Sequence, residues 1–184
     1  MNILEQLQGI NNIPINMNEI HWRISKNDIN FFKSCITEFK KHDIKNVLDI
    51  ATGEGEFVKM CLDNNIDAYG IDPFNNPHER IFKGTFSTAI EHLKSINVMF
   101  DCITVHNTLH GKQIMSEKLL MDLSTLFITK SKYIIISLPY WELYGKNKKE
   151  RNELKEKCNI KRFKKIHKFK KSHGGAHHWL FEIL

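Results

Sequence analysis

Residues 47–57 read Val-Leu-Asp-Ile-Ala-Thr-Gly-Glu-Gly-Glu-Phe. An apolar strand carrying Asp49 breaks into Gly53 and Gly55 and gives way to a helical pattern, which is the arrangement of a nucleotide-binding strand, loop and helix. Glycine tolerates positive φ and lacks a Cβ, so a ligand can approach the loop backbone closely. The run from Glu56 to Leu62 then opens a helix whose first N–H groups have no partner of their own. A second apolar run, Ala68-Tyr-Gly-Ile, ends on Asp72, 17 residues after Gly55, where a nucleotide site places an acid against ribose hydroxyls.

The remaining residues of the loop narrow the nucleotide. A dinucleotide fingerprint requires a third glycine at position 58, and Val58 stands there. An acid at Asp49 would repel a pyrophosphate, and the Lys-Ser/Thr ending of a phosphate-binding loop is missing. S-adenosylmethionine fits better, because its tail is an amino acid beside a sulfonium cation and an acid near the loop is electrostatically welcome. The stretch resembles motif I of class I methyltransferases, Asp/Glu-x-Gly-x-Gly-x-Gly, with Asp49, Gly53 and Gly55 matching and Ala51 in the first glycine position.

Further motifs follow in the order of that family. Tyr69-Gly-Ile-Asp-Pro resembles its second strand with the ribose-binding acid, followed by Phe74 where an apolar side chain flanks adenine. Arg80-Ile-Phe-Lys-Gly-Thr-Phe is similar to the third strand, Phe100-Asp-Cys-Ile-Thr-Val-His-Asn-Thr-Leu-His to the fourth, and Lys132-Tyr-Ile-Ile-Ile-Ser-Leu-Pro to the fifth, stopped by Pro139. The resemblance spans residues 44–140. It implies S-adenosylmethionine as cofactor, with S-adenosylhomocysteine as product, and a cofactor site of Asp49, Ala51, Thr52, Gly53, Gly55, Asp72, Pro73, Phe74, Thr85, Phe86 and His106.

Alternating helices and strands predict an α/β fold with a parallel sheet covered on both faces. Strands are expected near 46–50, 67–71, 80–83, 100–105 and 132–138, and helices near 55–64, 85–95, 114–129 and 146–157. A further helix from about Asp28 to Lys41, capped by Ser25 or Asn27, carries Ile29, Phe32, Ile36 and Phe39 as its apolar stripe. Residues 160–170 and 177–183 pattern as an antiparallel hairpin turned at Gly174-Gly175. The family resemblance implies a doubly wound, mostly parallel seven-stranded sheet whose last strand inserts antiparallel. One domain is expected over 1–184, comprising an N-terminal helical cap (1–42), a cofactor-binding core (43–140), and a basic C-terminal helix and hairpin (141–184). The cap, with Pro14 interrupting any helix, is a candidate cover for the cofactor pocket.

Composition fits this reading. The 184 residues are 41% hydrophobic, enough to fill a core, yet no apolar run approaches the ~20 residues of a membrane helix. The N-terminus lacks a secretory pattern. Cys35, Cys61, Cys102 and Cys158 are widely spaced, with neither zinc-site nor disulfide spacing, and Cys61 and Cys102 sit in buried patterns. A reducing cytoplasm, no metal and no membrane partner are expected.

Charge is uneven. Residues 146–171 hold 13 Lys or Arg and three Glu, a local +10 against +6 for the whole chain. Lys161–Lys171 is a candidate nucleic-acid edge, set against a solvated charged face, with Phe163 and Phe169 as either stacking or core residues.

Methyl transfer is a displacement that chiefly needs in-line positioning. A base is required only when the nucleophile must lose a proton. His106 and His110, just beyond the fourth strand, are the candidates. His106 stands where amino-methylating enzymes carry Asn or Asp before Pro-Pro-Tyr, so His-Asn-Thr-Leu disfavours that reaction. Asn107 and Thr108 read as helix caps. Tyr140, Trp141 and Tyr144 follow the fifth strand, as either stacking residues for a planar substrate or residues that close the core. Arg23 is a candidate partner for the cofactor carboxylate if its segment folds over the pocket, set against a solvent-facing arginine as the default. His173, His177 and His178 read as structural or surface residues, since alternation points the last two to opposite faces. Three function classes stay open: methyl transfer to a small-molecule or nucleotide-like acceptor, methyl transfer to RNA or DNA along the basic edge, and a non-catalytic cofactor-binding role.

Overall fold

The computed structural model describes residues 2–15, 29–74, 77–105, 116–137, 147–169 and 178–184. Its strands are β1 (Asn46–Ile50), β2 (Asp67–Asp72), β3 (Ile81–Lys83), β4 (Phe100–Val105), β5 (Ser131–Ser137), β6 (Phe163–Lys168) and β7 (His178–Ile183). Among the described residues the α-helices are α1 (Ile3–Leu7), α2 (Ile29–Lys41), α3 (Glu56–Asp63), α4 (Phe86–Ser95), α5 (Glu117–Lys130) and α6 (Lys148–Lys157). All seven strands form one sheet in the order β3-β2-β1-β4-β5-β7-β6. The first five run parallel, and β7 is antiparallel to both β5 and β6. The doubly wound sheet with an inserted antiparallel strand is therefore the observed architecture, and the hairpin strands pair as expected.

Strand period divides the buried apolar strand residues between two cores. Leu48, Ile50, Tyr69, Ile71, Ile103, Val105, Ile134 and Ile136 pack with α4, α5, α6 and the N-terminal residues Leu7 and Ile10. Val47, Ala68, Cys102, Tyr133, Ile135 and Leu180 face the opposite side, against α2 and α3. In α2 the buried residues are Phe31, Phe32, Cys35, Ile36, Glu38 and Phe39. Ile29 departs from the expected stripe: as the first residue of the helix it is 45% exposed, one turn ahead of the neighbours that cover Phe32. Cys61 and Cys102 are buried as expected, and burial pushes both thiols up.

Side-chain hydrogen bonds fix the sheet where its ladders end. Asp101 Oδ2 accepts from the N–H groups of Lys45 (2.8 Å) and Asn46 (3.1 Å), while Asn46 Oδ1 accepts from Asp101 N (2.7 Å). This reciprocal pair aligns the starts of β1 and β4, which explains the Phe-Asp opening of the fourth strand. At the β3 edge Asn11 Oδ1 accepts from Lys83 N at 2.8 Å, supplying a partner for an outward strand N–H. Residues 2–15 thus extend the α4 side of the sheet. The rest of the expected cap up to α2, with Ser25, Asn27 and Arg23, lies outside the described residues.

Candidate functional site

Strand order reverses between β1 and β4, the switch point at which doubly wound sheets bind ligands beyond the carboxyl ends of their strands. The quoted loop lies there. After Ile50 the chain turns through Ala51 (φ 64°), Gly53 (φ 62°) and Gly55 (φ 84°), all left-handed. The N–H groups of Ala51 and Thr52 donate to the Ile71 carbonyl at 2.7 and 3.2 Å, and Gly53 N donates to Asp72 Oδ2 at 2.8 Å. The end of β2 therefore shapes the β1 loop, before Glu56 starts α3. Val58 fills the α2/α3 core with no exposed surface, occupying the space a dinucleotide fold would leave to glycine.

Two glycines accommodate this loop in opposite ways. A Cβ on Gly70 would meet Thr52 Cγ2 at 2.6 Å, so the loop rests directly on the β2 backbone. A Cβ on Gly53 would meet no atom of the described residues within 4 Å. The described residues leave the space beyond Gly53 open.

Asp49 and Asp72 lie on the same face of the sheet, two residues apart across the β1/β2 register. Both are at least 95% buried. Thr104 Oγ1 donates to Asp49 Oδ1 at 2.6 Å, across the pairing of Asp49 with Thr104 in β4. Burial nonetheless pushes Asp49 up to about 7, opposed by the hydroxyls of Thr104 and Thr52. Thr52 Oγ1 is close enough to favour the ionised acid, but it makes no hydrogen bond of ordinary geometry among the described residues. Asp72 is also raised, first by burial, then by the nearby Asp49 charge, against the N–H bonds from Phe74 (3.1 Å) and Gly53. Two buried acids held this closely make a site that favours a cationic ligand.

Phe74 stands 41% exposed beside Asp72, with half-buried Pro73 between them. Thr85 caps α4: its Oγ1 accepts from Thr88 N (3.3 Å), and Thr88 Oγ1 accepts from Thr85 N (2.6 Å). Phe86 packs half-buried against the α4 side of the core. Asp49, Ala51, Thr52, Gly53, Gly55, Asp72, Pro73 and Phe74 thus come together around two strand ends, with Thr85 and Phe86 at the start of α4 after β3. His106 and His110, together with Asn107, Thr108, Tyr140, Trp141, Tyr144, His173 and His177, lie outside the described residues. His178 is fully buried, its ring 4.2 Å from that of Phe31. Among the described residues no group of three or more His, Cys, Asp or Glu is arranged to hold a metal ion, and no helix is long and apolar enough to cross a membrane.

Thr104 was not singled out by the sequence reading. Its signal was a polar residue in the buried half of the strand, on the same alternation face as Cys102, but its pairing with Asp49 depends on strand register.

No protein-family model and no curated protein matches the sequence. Solved structures do match the fold. The bifunctional kinase-methyltransferase WbdD is 14% identical with a TM-score of 0.59 over 85% of this chain, which spans only 40% of the WbdD chain. The methyltransferase domain of bacterial CtHen1 is 18% identical, with a TM-score of 0.51 over 83% of this chain and 97% of that one. The 1,6-didemethyltoxoflavin-N1-methyltransferase of Burkholderia thailandensis, solved with 1,6-didemethyltoxoflavin and S-adenosylhomocysteine, is 13% identical, with a TM-score of 0.52 over 85% of this chain and 79% of that one. The strand order, the inserted antiparallel strand and these likenesses agree: the chain has the fold of class I S-adenosylmethionine-dependent methyltransferases.

Proposed function

We propose that this protein transfers a methyl group from S-adenosylmethionine to a small-molecule or nucleotide-like acceptor. One observation carries the reading: two buried acids, Asp49 and Asp72, flank a left-handed glycine loop at the switch point of the sheet. The donor set fits the cofactor. Asp72 uses two of a carboxylate's roughly four acceptor positions on Gly53 and Phe74, leaving the others for ribose hydroxyls. Asp49 offers negative charge to the cationic methionine end, and the buried Thr52 hydroxyl supplies a polar atom that lacks a protein partner among the described residues. Phe74 presents an apolar face for adenine. When bound, the cofactor supplies an electrophilic methyl group on a sulfonium.

The chain's own task is then to hold and orient, which can account for a large part of the barrier in a displacement. His106, with His110 as the lesser candidate, would take the acceptor's proton where the acceptor carries one. A polynucleotide acceptor is the second reading, favoured by the basic segment 146–171.

Calorimetric titration of S-adenosylmethionine and S-adenosylhomocysteine tests the donor assignment. Asp72→Ala is expected to weaken binding about tenfold or more, since a hydrogen bond to a charged group is worth roughly 1.5–3 kcal/mol. Absence of binding to the parent at millimolar ligand would sink it. His106→Ala should abolish turnover while leaving cofactor affinity within a few-fold, and unchanged turnover would remove His106 from the reaction.

A further inference from the structure

The outer strand of the sheet, β6, carries Phe-Lys-Lys-Ile-His-Lys over 163–168. Phe163 is core, and so is Phe169 just after the strand, which removes both as stacking platforms. The lysines are arranged by an irregularity in pairing. Lys165 stands opposite Phe181 and Lys168 opposite Trp179, while the register shifts between Lys165 and His167. In a regular strand two residues three apart point to opposite faces; one extra residue brings them to the same face. Both ammonium groups accordingly lie over Trp179, with Nζ at 5.1 Å (Lys165) and 5.7 Å (Lys168) from the ring centroid.

Their charge is not locally cancelled. Lys164, on the opposite face, pairs across the strands with Glu182 at 3.5 Å, but among the described residues no carboxylate pairs with Lys165 or Lys168. Lys161, just before the strand, is exposed as well. The indole beneath is only 8% exposed, so the surface it supports presents ammonium groups rather than an aromatic ring.

Position gives this charge a direction. Because β7 is antiparallel to both neighbours, β6 runs parallel to β1 through β5, and Lys168 lies at the same sheet edge as Asp49, Asp72 and the glycine loop. Paired residues form one row across the sheet: Lys168, Trp179, Ile136, Val105, Ile50 and Ile71. Three strand spacings separate Lys168 from Val105, roughly 14 Å. Val105 ends the strand that leads into His106.

We propose that the face of β6 centred on Lys165 and Lys168 docks the phosphate backbone of a single-stranded nucleic acid and presents one of its nucleotides to the donor site. The second half of this statement rests on the methyltransferase reading; the first does not. Charge complementarity selects a polyanion, and the local +10 lies against −4 for the rest of the chain. A lipid surface fits less well, because among the described residues none of the exposed large apolar side chains, Ile29, Phe74, Met99, Met121 and Leu184, lies on β6 or α6 to insert. A single strand is favoured over a duplex because a base must leave its stack to reach a donor beyond the strand ends. Recognition through ammonium groups alone is tolerant of sequence.

The test uses the full chain and a fluorescein-labelled, mixed-sequence single-stranded RNA, followed by fluorescence anisotropy at about 50 mM and about 200 mM KCl, a range over which counterion release is steep. The double variant Lys165→Gln/Lys168→Gln should weaken binding at least tenfold and lower the salt slope by about 1.4, from roughly 0.7 per phosphate lost. Lys33→Gln/Lys40→Gln on α2, which removes the same charge elsewhere, should change affinity by less than threefold, and Lys165→Arg/Lys168→Arg should restore it. No RNA binding by the parent, equal loss in the α2 control, or Lys165/Lys168-dependent binding to phosphatidylserine vesicles without RNA binding would each overturn the surface. Calorimetry with S-adenosylmethionine on the same preparations separates the two claims. Donor binding without RNA binding removes the surface alone; RNA binding without donor binding keeps the surface and removes presentation to a methyl donor.

Discussion

Replacing Ala51 by glycine should stabilise this protein. Among the described residues the left-handed positions are Asp43, Ala51, Asn65 and Asn159, together with Gly53 and Gly55. Asp and Asn tolerate that conformation through short polar side chains, and glycine has no Cβ to clash, so Ala51 at φ 64° is the one position with neither relief. An L residue in this region carries about 1–2 kcal/mol of strain, and glycine returns it while loosening the unfolded chain by about 0.5–1 kcal/mol. The net gain is about 0.5–1 kcal/mol, a rise in Tm of about 1–4 °C for a chain of this size. The hydrogen bond from residue 51 N to the Ile71 carbonyl at 2.7 Å survives, because it uses only backbone. Ala51→Val should move the other way, since a β-branched residue at positive φ is strained further. Differential scanning calorimetry with matched urea titrations reads both. A neutral or destabilised Ala51→Gly protein, or an Ala51→Val protein as stable as the parent, would refute the claim that the loop stores strain at this residue.

Three further outcomes are expected. In the free protein Asp49 is raised from 3.8 to about 7, so between those values the folded state holds a proton that the unfolded state has released, and stability falls as pH rises through the window before levelling off. Asp49→Asn should flatten this slope by on the order of 2–4 kcal/mol between pH ~4 and ~8, read from urea unfolding; an unchanged slope contradicts the assignment. Thr104→Val removes the hydroxyl that favours ionised Asp49, so it should cost about 1–2 kcal/mol at pH ~8 and distinctly less at pH ~5, where equal costs would exclude that role. Gly70→Ala should cost about 1–3 kcal/mol through overpacking against Thr52 and weaken S-adenosylmethionine binding. Adding Thr52→Ser, which deletes the clashing Cγ2, should recover part of both losses, and the same calorimetry shows whether it does.

The sheet was legible because its strands carry short, nearly continuous apolar runs with punctuation at their ends. Val47 to Ile50, closed by two glycines, and Ile134 to Ile136 admit little else once helices of period 3.6 separate them. The site was half legible. Asp49, Gly53, Gly55 and Asp72 are local in sequence to the turns they serve, so residue type and spacing point to them directly. Thr104 meets Asp49 only through a register across 55 residues, and no spacing rule carries that. Ala51 matched a glycine position by resemblance, but its left-handed backbone follows from the Ile71 carbonyl receiving two successive N–H groups. The basic segment showed as charge alone. Which lysines act together depends on an extra residue in β6, a property of pairing with β7. Ile29 illustrates the reverse error, a stripe residue of correct period that has run past the end of the surface it was meant to cover.

The insertion of β7 between β5 and β6 bears on how the chain is made. β5 is paired on one side by β4, whose sequence precedes it, but its other side waits for residues 178–183, more than forty positions further along. Until those residues leave the ribosome, a nascent chain presents Tyr133 to Ile136, all buried in the finished fold, along an open strand edge of the kind that pairs with other molecules. Premature stop codons anywhere between 138 and 177 should therefore yield aggregates rather than a smaller folded core, and the half-dozen residues of β7 decide whether the 177 before them reach the folded state.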